Sequence, residues 1–193
     1  MGFVFAIIAS FLHSIVDAIR KKLTQNSNEY LAYWGLTLFS VPVFLISIIF
    51  TGWPKLTLTF YLIIPVALLL NIVSFLMLFK ALKISPLSLT IPFLAFTPVF
   101  LILTSYLMLR ELPNFYGIFG IIFITLGAYI LNISKIKEGF WGPIKAIGRE
   151  KGSLYVLIVA FLWSILSNID KIGLRNSSPT AYLLILEILV RLF

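Results

Sequence analysis

A chain of 193 residues that is 61% hydrophobic and 11% charged, with a mean hydropathy of +1.08, carries more apolar side chain than a core surrounded by water can hide. Water-soluble domains run roughly 45–50% apolar and about 25% charged, so this composition excludes a soluble globular enzyme or binding module and makes lipid the solvent. The net charge of +8 sits between the apolar runs, where headgroups account for it without nucleic acid, and with no cysteine there are no disulfides, thiolate metal sites or thiol chemistry.

A hydrocarbon core of about 30 Å takes roughly twenty helical residues, and on that measure the sequence predicts six complete spans and part of a seventh. Phe3 to Ile19 is the first; no basic residue precedes it and no small-x-small cleavage site comes before Arg20, so it reads as a retained span and not a leader. Tyr30 to Phe50 is the second, with Tyr30, Tyr33, Trp34 and then Trp53 at headgroup-belt positions. The Gly/Pro turn Thr51 to Lys55 leads into the third span, Leu56 to Phe79, ended by Lys80 and Lys83.

Pro86 to Leu109 is the fourth span, and its Pro92 and Pro98 each remove a backbone donor and are predicted to kink it. Thr90, Thr97, Thr104 and Ser105 are candidates to satisfy the freed carbonyls, which have no water to turn to in lipid. Phe115 to Asn132 is the fifth, with Gly120 and Gly127 on one face, predicted to let a neighbouring backbone approach. Lys135 to Gly152 is the long connection: Phe140, Ile144 and Ile147 recur at helical spacing, Lys137, Lys145 and Arg149 stay polar, and Pro143 can open a helix. The expectation is a basic interfacial helix, against the alternative of a solvated linker. Ser153 to Ile169 is the sixth span, and a seventh begins near Pro179 and is cut at Phe193, so the chain reads as the front part of a longer protein.

The run from Phe11 to Ser27 aligns without a gap on Phe161 to Ser177, with eight identities in seventeen positions that include Ser14/Ser164, Lys21/Lys171 and Asn26-Ser27/Asn176-Ser177. A duplication separated by five spans, an odd number, inverts the second copy across the membrane. Inverted repeats imply an alternating-access carrier with its site near mid-depth. The fold expected is an all-α membrane protein, a multi-span transmembrane helix bundle with inverted five-helix repeats whose second repeat is incomplete. Basic residues number ten in the first, third and fifth connections against four in the second, fourth and sixth, which places the amino terminus outside.

The segments Lys80-Ala81-Leu82-Lys83, Pro86 to Thr90, Thr97-Pro98-Val99-Phe100, Leu109-Arg110-Glu111-Leu112, and Gly117, Gly120 and Gly127 together resemble an EamA domain of the drug/metabolite transporter superfamily. Leu162-Trp163-Ser164 with Lys171 is similar to the start of such a repeat, and His13 stands where the second copy and the family have Trp. The resemblance divides the chain into a first five-helix repeat, 1–134, a basic amphipathic linker, 135–152, and the start of a second repeat, 153–193. It implies ten spans in full-length members, a cytoplasmic amino terminus that opposes the charge count, and transport of small organic metabolites or drugs across the cell membrane by a multi-pass protein.

Ionisable groups inside a span are costly and mark candidate sites. Asp17 can pair with Arg20 or Lys21 as a headgroup anchor, or face a pathway together with His13, one turn away and able to carry a proton. Lys21 and Lys171, equivalent by register, either snorkel to headgroups or hold an anionic substrate group from two sides. Asn71, Trp163 and Asn168, and the pair Glu187 and Arg191, complete the substrate-pathway candidates, with interhelical bridging the alternative for Asn71. No nucleotide cradle or ligand-spaced acidic, His or Cys cluster is present, so neither enzyme activity, a cofactor nor a metal is expected. The expected partners are the lipid bilayer and a small-molecule substrate, with a homodimer or further carboxy-terminal spans completing the second unit. The alternative function is a non-transporting membrane subunit or inactive fragment.

Overall fold

The computed structural model describes residues 2–26, 40–131 and 151–192, and every regular element among them is helical. In chain order these are α1 (Gly2–Asn26), α2 (Ser40–Thr51), α3 (Leu58–Ile84), α4 (Leu87–Thr90), a 3-10 segment (Ile91–Phe96), α5 (Thr97–Leu109), α6 (Phe115–Leu131), α7 (Lys151–Arg175) and α8 (Pro179–Leu192). Three stretches, Leu58–Ile84, Ile91–Leu109 and Lys151–Arg175, are long and apolar enough to cross a membrane, and four shorter apolar helices accompany them. Tyr30 to Phe39 of the second expected span lie outside the described residues. So does the expected linker helix, except Lys151 and Gly152, which open α7.

Two expected boundaries move outward, for one physical reason. α3 continues past Phe79 and Lys80 to Ile84, stopping only where Pro86 forces the preceding Ser85 into extended backbone. The Lys80 ammonium lies 5.5 Å from the Tyr155 ring centroid, so a lysine near the end of this span extends the helix instead of ending it. α7 likewise runs beyond Ile169 through Asp170 and Lys171, whose charges are met by Tyr182 and Glu111. The fourth span is broken into three pieces, with Pro92 in the 3-10 segment and Pro98 in the first turn of α5. Pro98 cannot donate to the Leu94 carbonyl; the Thr97 N–H takes that acceptor instead, the i to i−3 bonding that defines a 3-10 turn.

α7 is the hub, packed most extensively on α3 and next on α5, while α8 lies on α2. Small residues let α3 and α7 approach: Ala67, Ala81 and Gly152 are all buried where the two helices pack. Around them sit two apolar clusters, one joining Phe60 and Ile64 to Leu166, Ile169, Tyr182 and Leu186, the other joining Leu78 and Leu82 to Phe93, Val156 and Val159. A Cβ at Gly152 would overlap the Ser85 side chain and lie 3.1 Å from the Ala81 carbonyl oxygen, and a Cβ at Gly173 would overlap the Tyr182 ring. The expected packing glycines, Gly120 and Gly127, differ: a Cβ at either meets no atom within 4 Å, so the close approaches are at Gly152 and Gly173. Spacing placed Gly120 and Gly127 on one face of α6, but that face is uncovered among the described residues.

Contacts at helix ends fix the direction of each element. At the lower end, where α3 begins, the Thr57 N–H donates to the Asn176 carbonyl at the finish of α7, and Thr51 at the end of α2 meets Thr180 at the start of α8. At the upper end, where α3 finishes, Lys21 of α1 donates to the Leu82 and Ser85 carbonyls, and Gly152 of α7 abuts Ser85. α1 therefore runs upward parallel to α3, and α7 runs downward. The two copies of the repeated segment are antiparallel.

Candidate functional site

Between α1, the broken fourth span and α7 lies an open-sided cavity of about 640 Å³. α1 contributes Ala9, Ser10, His13, Ser14 and Asp17; Leu87, Ile91, Leu94, Ala95, Thr97, Pro98 and Leu101 form the facing wall; Trp163 of α7 closes the back. The wall is possible because of the break: 3-10 geometry eclipses positions i and i+3, aligning Ile91 and Leu94. His13 and Trp163 are equivalent by register, and each lies near the middle of a 25-residue helix. Both line this cavity.

The polar groups at this cavity are few. His13 Nδ1 is 3.4 Å from Asp17 Oδ2, with the imidazole more than half exposed and the carboxylate buried. The Trp163 indole N–H donates to Ser74 Oγ at 3.1 Å, and Ser74 in turn donates to the Asn71 carbonyl, so the ring is held by α3 and offers its carbons to the cavity. Phe75 packs against the same indole at 5.6 Å between ring centroids. Thr97 Oγ1, of a residue on the cavity wall, is buried with no hydrogen-bond partner among the described residues.

Of the nine expected pathway residues, His13, Asp17 and Trp163 converge here. Asn71 is buried in α3 and donates to its own Ala67 carbonyl at 3.1 Å. Lys21 caps the carboxy-terminal carbonyls of α3, the favourable place for a cation at a helix end. Lys171 pairs with Glu111, so the equivalent lysines do not face a shared cavity from two sides. Glu187 is half-buried on α8 and is not part of the cavity wall; Arg191 belongs to the same helix, its side chain outside the described set.

Beneath the cavity α5 and α7 are joined by polar contacts. Thr104 Oγ1 donates to the Ser164 carbonyl at 3.3 Å; Asn168 donates to Thr104 Oγ1 at 3.1 Å and accepts from Ser105 Oγ at 2.8 Å. At the lower end Lys171 is hydrogen-bonded to Glu111, and Arg175 lies 3.5 Å from the other carboxylate oxygen. Arg110 aims this acid: it is the one non-glycine residue in left-handed backbone among those described, at φ 57°, and it turns the chain so that the Glu111 N–H reaches back to the Ser105 carbonyl. Such a conformation costs about 1–2 kcal/mol outside glycine. The Lys171 hydrogen bond, with Arg175 adding to it, holds the Glu111 carboxyl below the usual carboxylate range. Local sequence gave no sign of this cluster, because its members come from turns and helices sixty residues apart.

The bundle thus has helices of membrane-spanning length and a cavity, beside a proline-broken helix, that is lined from the middle of two antiparallel copies of one helix. The chain belongs to the EamA-like transporter family, whose sequence model matches residues 1–133. No curated protein and no solved structure gives a significant match.

Proposed function

We propose that this protein is a secondary transporter of small organic metabolites or drugs, embedded in the cell membrane as a multi-pass protein and working by alternating access. The observation that carries the reading is that His13 and Trp163, register equivalents each near the middle of one of two antiparallel helices, line one cavity. Its volume of about 640 Å³ suits a small molecule, since such sites run roughly 300–1,000 Å³. An apolar wall with a fixed indole and a handful of hydroxyls suits an organic solute better than a hydrated ion. The upper end carries Lys21, Lys22, Lys80, Lys83 and Lys151, so the positive-inside rule turns that end to the cytoplasm.

Flux of a panel of small organic solutes into proteoliposomes, with and without a pH gradient, tests the reading. Saturable flux is expected for at least one solute, and Ala95→Trp, which fills the cavity from the 3-10 wall, should abolish it. Failure of the folded protein to move any of the panel would refute the transporter assignment.

A further inference from the structure

The cavity reaches α7 only at Trp163, and the polar contacts between α5 and α7 begin at the next residue, Ser164. Along the fourth span the cavity runs from Leu87 at its upper limit to Leu101 at its floor, with Trp163 as its lining residue from α7. Directly below them Ser164, Asn168, Lys171 and Arg175 follow one another on α7 at i, i+4, i+7 and i+11, one face of the helix, and every one meets α5 or the turn after it. Among the described residues the two apolar cores of α7 face α3 and α8 or the 3-10 segment, and the aromatic contact between α5 and α7, Phe100 on Phe161 at 5.6 Å, lies above this lower seam. On α1 the register equivalent of Ser164 is Ser14, and Ser14 lines the open cavity. One copy of the repeat is thus zipped to the fourth span, while the other copy lines the cavity among the described residues.

We propose that the stripe Ser164, Asn168, Lys171, Arg175, closed on Thr104, Ser105 and Glu111, is the gate at the lower end, and that transport requires α5 to part from α7 along it. The inference rests on the transporter reading above and gives its lower gate named residues. The chemistry suits opening. Each contact is a hydrogen bond or an ion pair that water can replace, and Lys171 and Glu111 are already 41% and 42% exposed. The prolines above supply the pivot: at Pro98 the i to i−4 ladder is already interrupted, so α5 can tilt there without breaking a further backbone bond. A second cavity, of about 210 Å³, lies between α5, the turn after it and Ile121 of α6, with Ser105 and Glu111 on its wall, and shares Pro98 and Leu101 with the first. Parting α5 from α7 below Leu101 opens the floor of the first cavity toward the lower end.

The sequence has no cysteine, so a single Leu101→Cys reports access to the floor of the cavity. In oriented vesicles a membrane-impermeant thiol reagent should reach it readily from the upper side and slowly from the lower. Glu111→Gln, and separately Asn168→Leu, should speed labelling from the lower side at least tenfold while upper-side labelling persists, which also shows that the variants are folded. Unchanged lower-side rates in folded variants would make the stripe a permanent strut and overturn the gate. A measurement on the otherwise native chain covers the case of a variant that does not fold: spin labels at Leu112→Cys and Pro179→Cys should give two distance populations, and a single population overturns the proposal. The outcomes separate from those of the flux assay. Flux through a protein whose lower seam never opens removes the gate and leaves the transporter, whereas two-sided access without flux of any solute removes the transporter and leaves the gate.

Discussion

Glycine-to-alanine substitution reads the packing with one chemical change and opposite signs. In a helix interior the added methyl normally stabilises by about 1 kcal/mol, because glycine pays more backbone entropy. At Gly173 that gain is overwhelmed: the new Cβ would overlap three ring atoms of Tyr182, a fully buried side chain whose hydroxyl donates to Asp170 Oδ1 at 2.7 Å. Overpacking of this kind costs about 1–3 kcal/mol, and displacing the ring also breaks the hydroxyl–carboxylate bond, worth about 1.5 kcal/mol or more because one partner is charged. The net expectation is a loss of about 2–3 kcal/mol, which for a chain of this size lowers Tm by roughly 4–12 °C. Gly152→Ala, pressed against Ser85 and the Ala81 carbonyl, should fall in the same direction. Gly120→Ala and Gly127→Ala, where nothing lies within 4 Å, should be neutral or raise Tm by up to about 4 °C. Thermal unfolding of the four variants in detergent decides it. Gly173→Ala as stable as the parent, or Gly120→Ala as damaging as Gly173→Ala, would refute the α7–α8 and α6 packing described above.

A double-mutant cycle on Ser105→Ala and Asn168→Ala should return a coupling of about 0.6 kcal/mol, the average for interhelical hydrogen bonds in lipid; zero coupling in unfolding measurements would show that the 2.8 Å contact is not formed. The Glu111 carboxyl is held below the usual range, so its contribution is complete above the ordinary carboxylate value of 4.5 and fades as pH falls through its lower folded value. Glu111→Gln should therefore flatten the acid limb of a stability–pH profile and leave the neutral limb parallel to the parent, whereas an unchanged acid limb would mean that the Lys171 pairing contributes nothing. Lys21→Met should uncap the Leu82 and Ser85 carbonyls and cost about 0.3–1 kcal/mol in unfolding measurements. Trp163→Phe should free Ser74 and reduce solute flux with little change in Tm, since the phenyl ring keeps most of the packing against Phe75.

Which parts of this were legible in the sequence follows from the range of each interaction. The spans and the broken fourth helix are local: apolar run length, Pro92 and Pro98 speak for themselves. The inversion came from comparing two stretches of sequence, and counting spans between Phe11 and Phe161 was enough. What stayed hidden depends on contacts between distant segments. Nothing near Glu111 announces Lys171, and nothing near Ser85 announces Gly152 or Lys21. The α3–α7 seam includes Ala67, Ala81 and Gly152, residue types common in any apolar span, so their role appears only when the two helices are side by side. Gly120 and Gly127 show the converse: a spacing identifies a shared face and is silent on whether another helix covers it. Of the cavity, His13, Asp17 and Trp163 were visible as polar or aromatic marks in mid-span, whereas Thr97 carried no sign that its hydroxyl would be left unbonded.

Single-cysteine labelling tests the opposed threading of the two copies most directly. Lys22→Cys lies at the exposed upper end of α1 and Arg175→Cys at the exposed lower end of α7, each as the sole thiol in the chain. In sealed, oriented vesicles an impermeant thiol reagent should modify position 22 from one face of the membrane and position 175 from the other. Modification of both from the same face would mean that the two copies run in the same sense, and neither the shared mid-depth cavity nor a carrier built on it would stand.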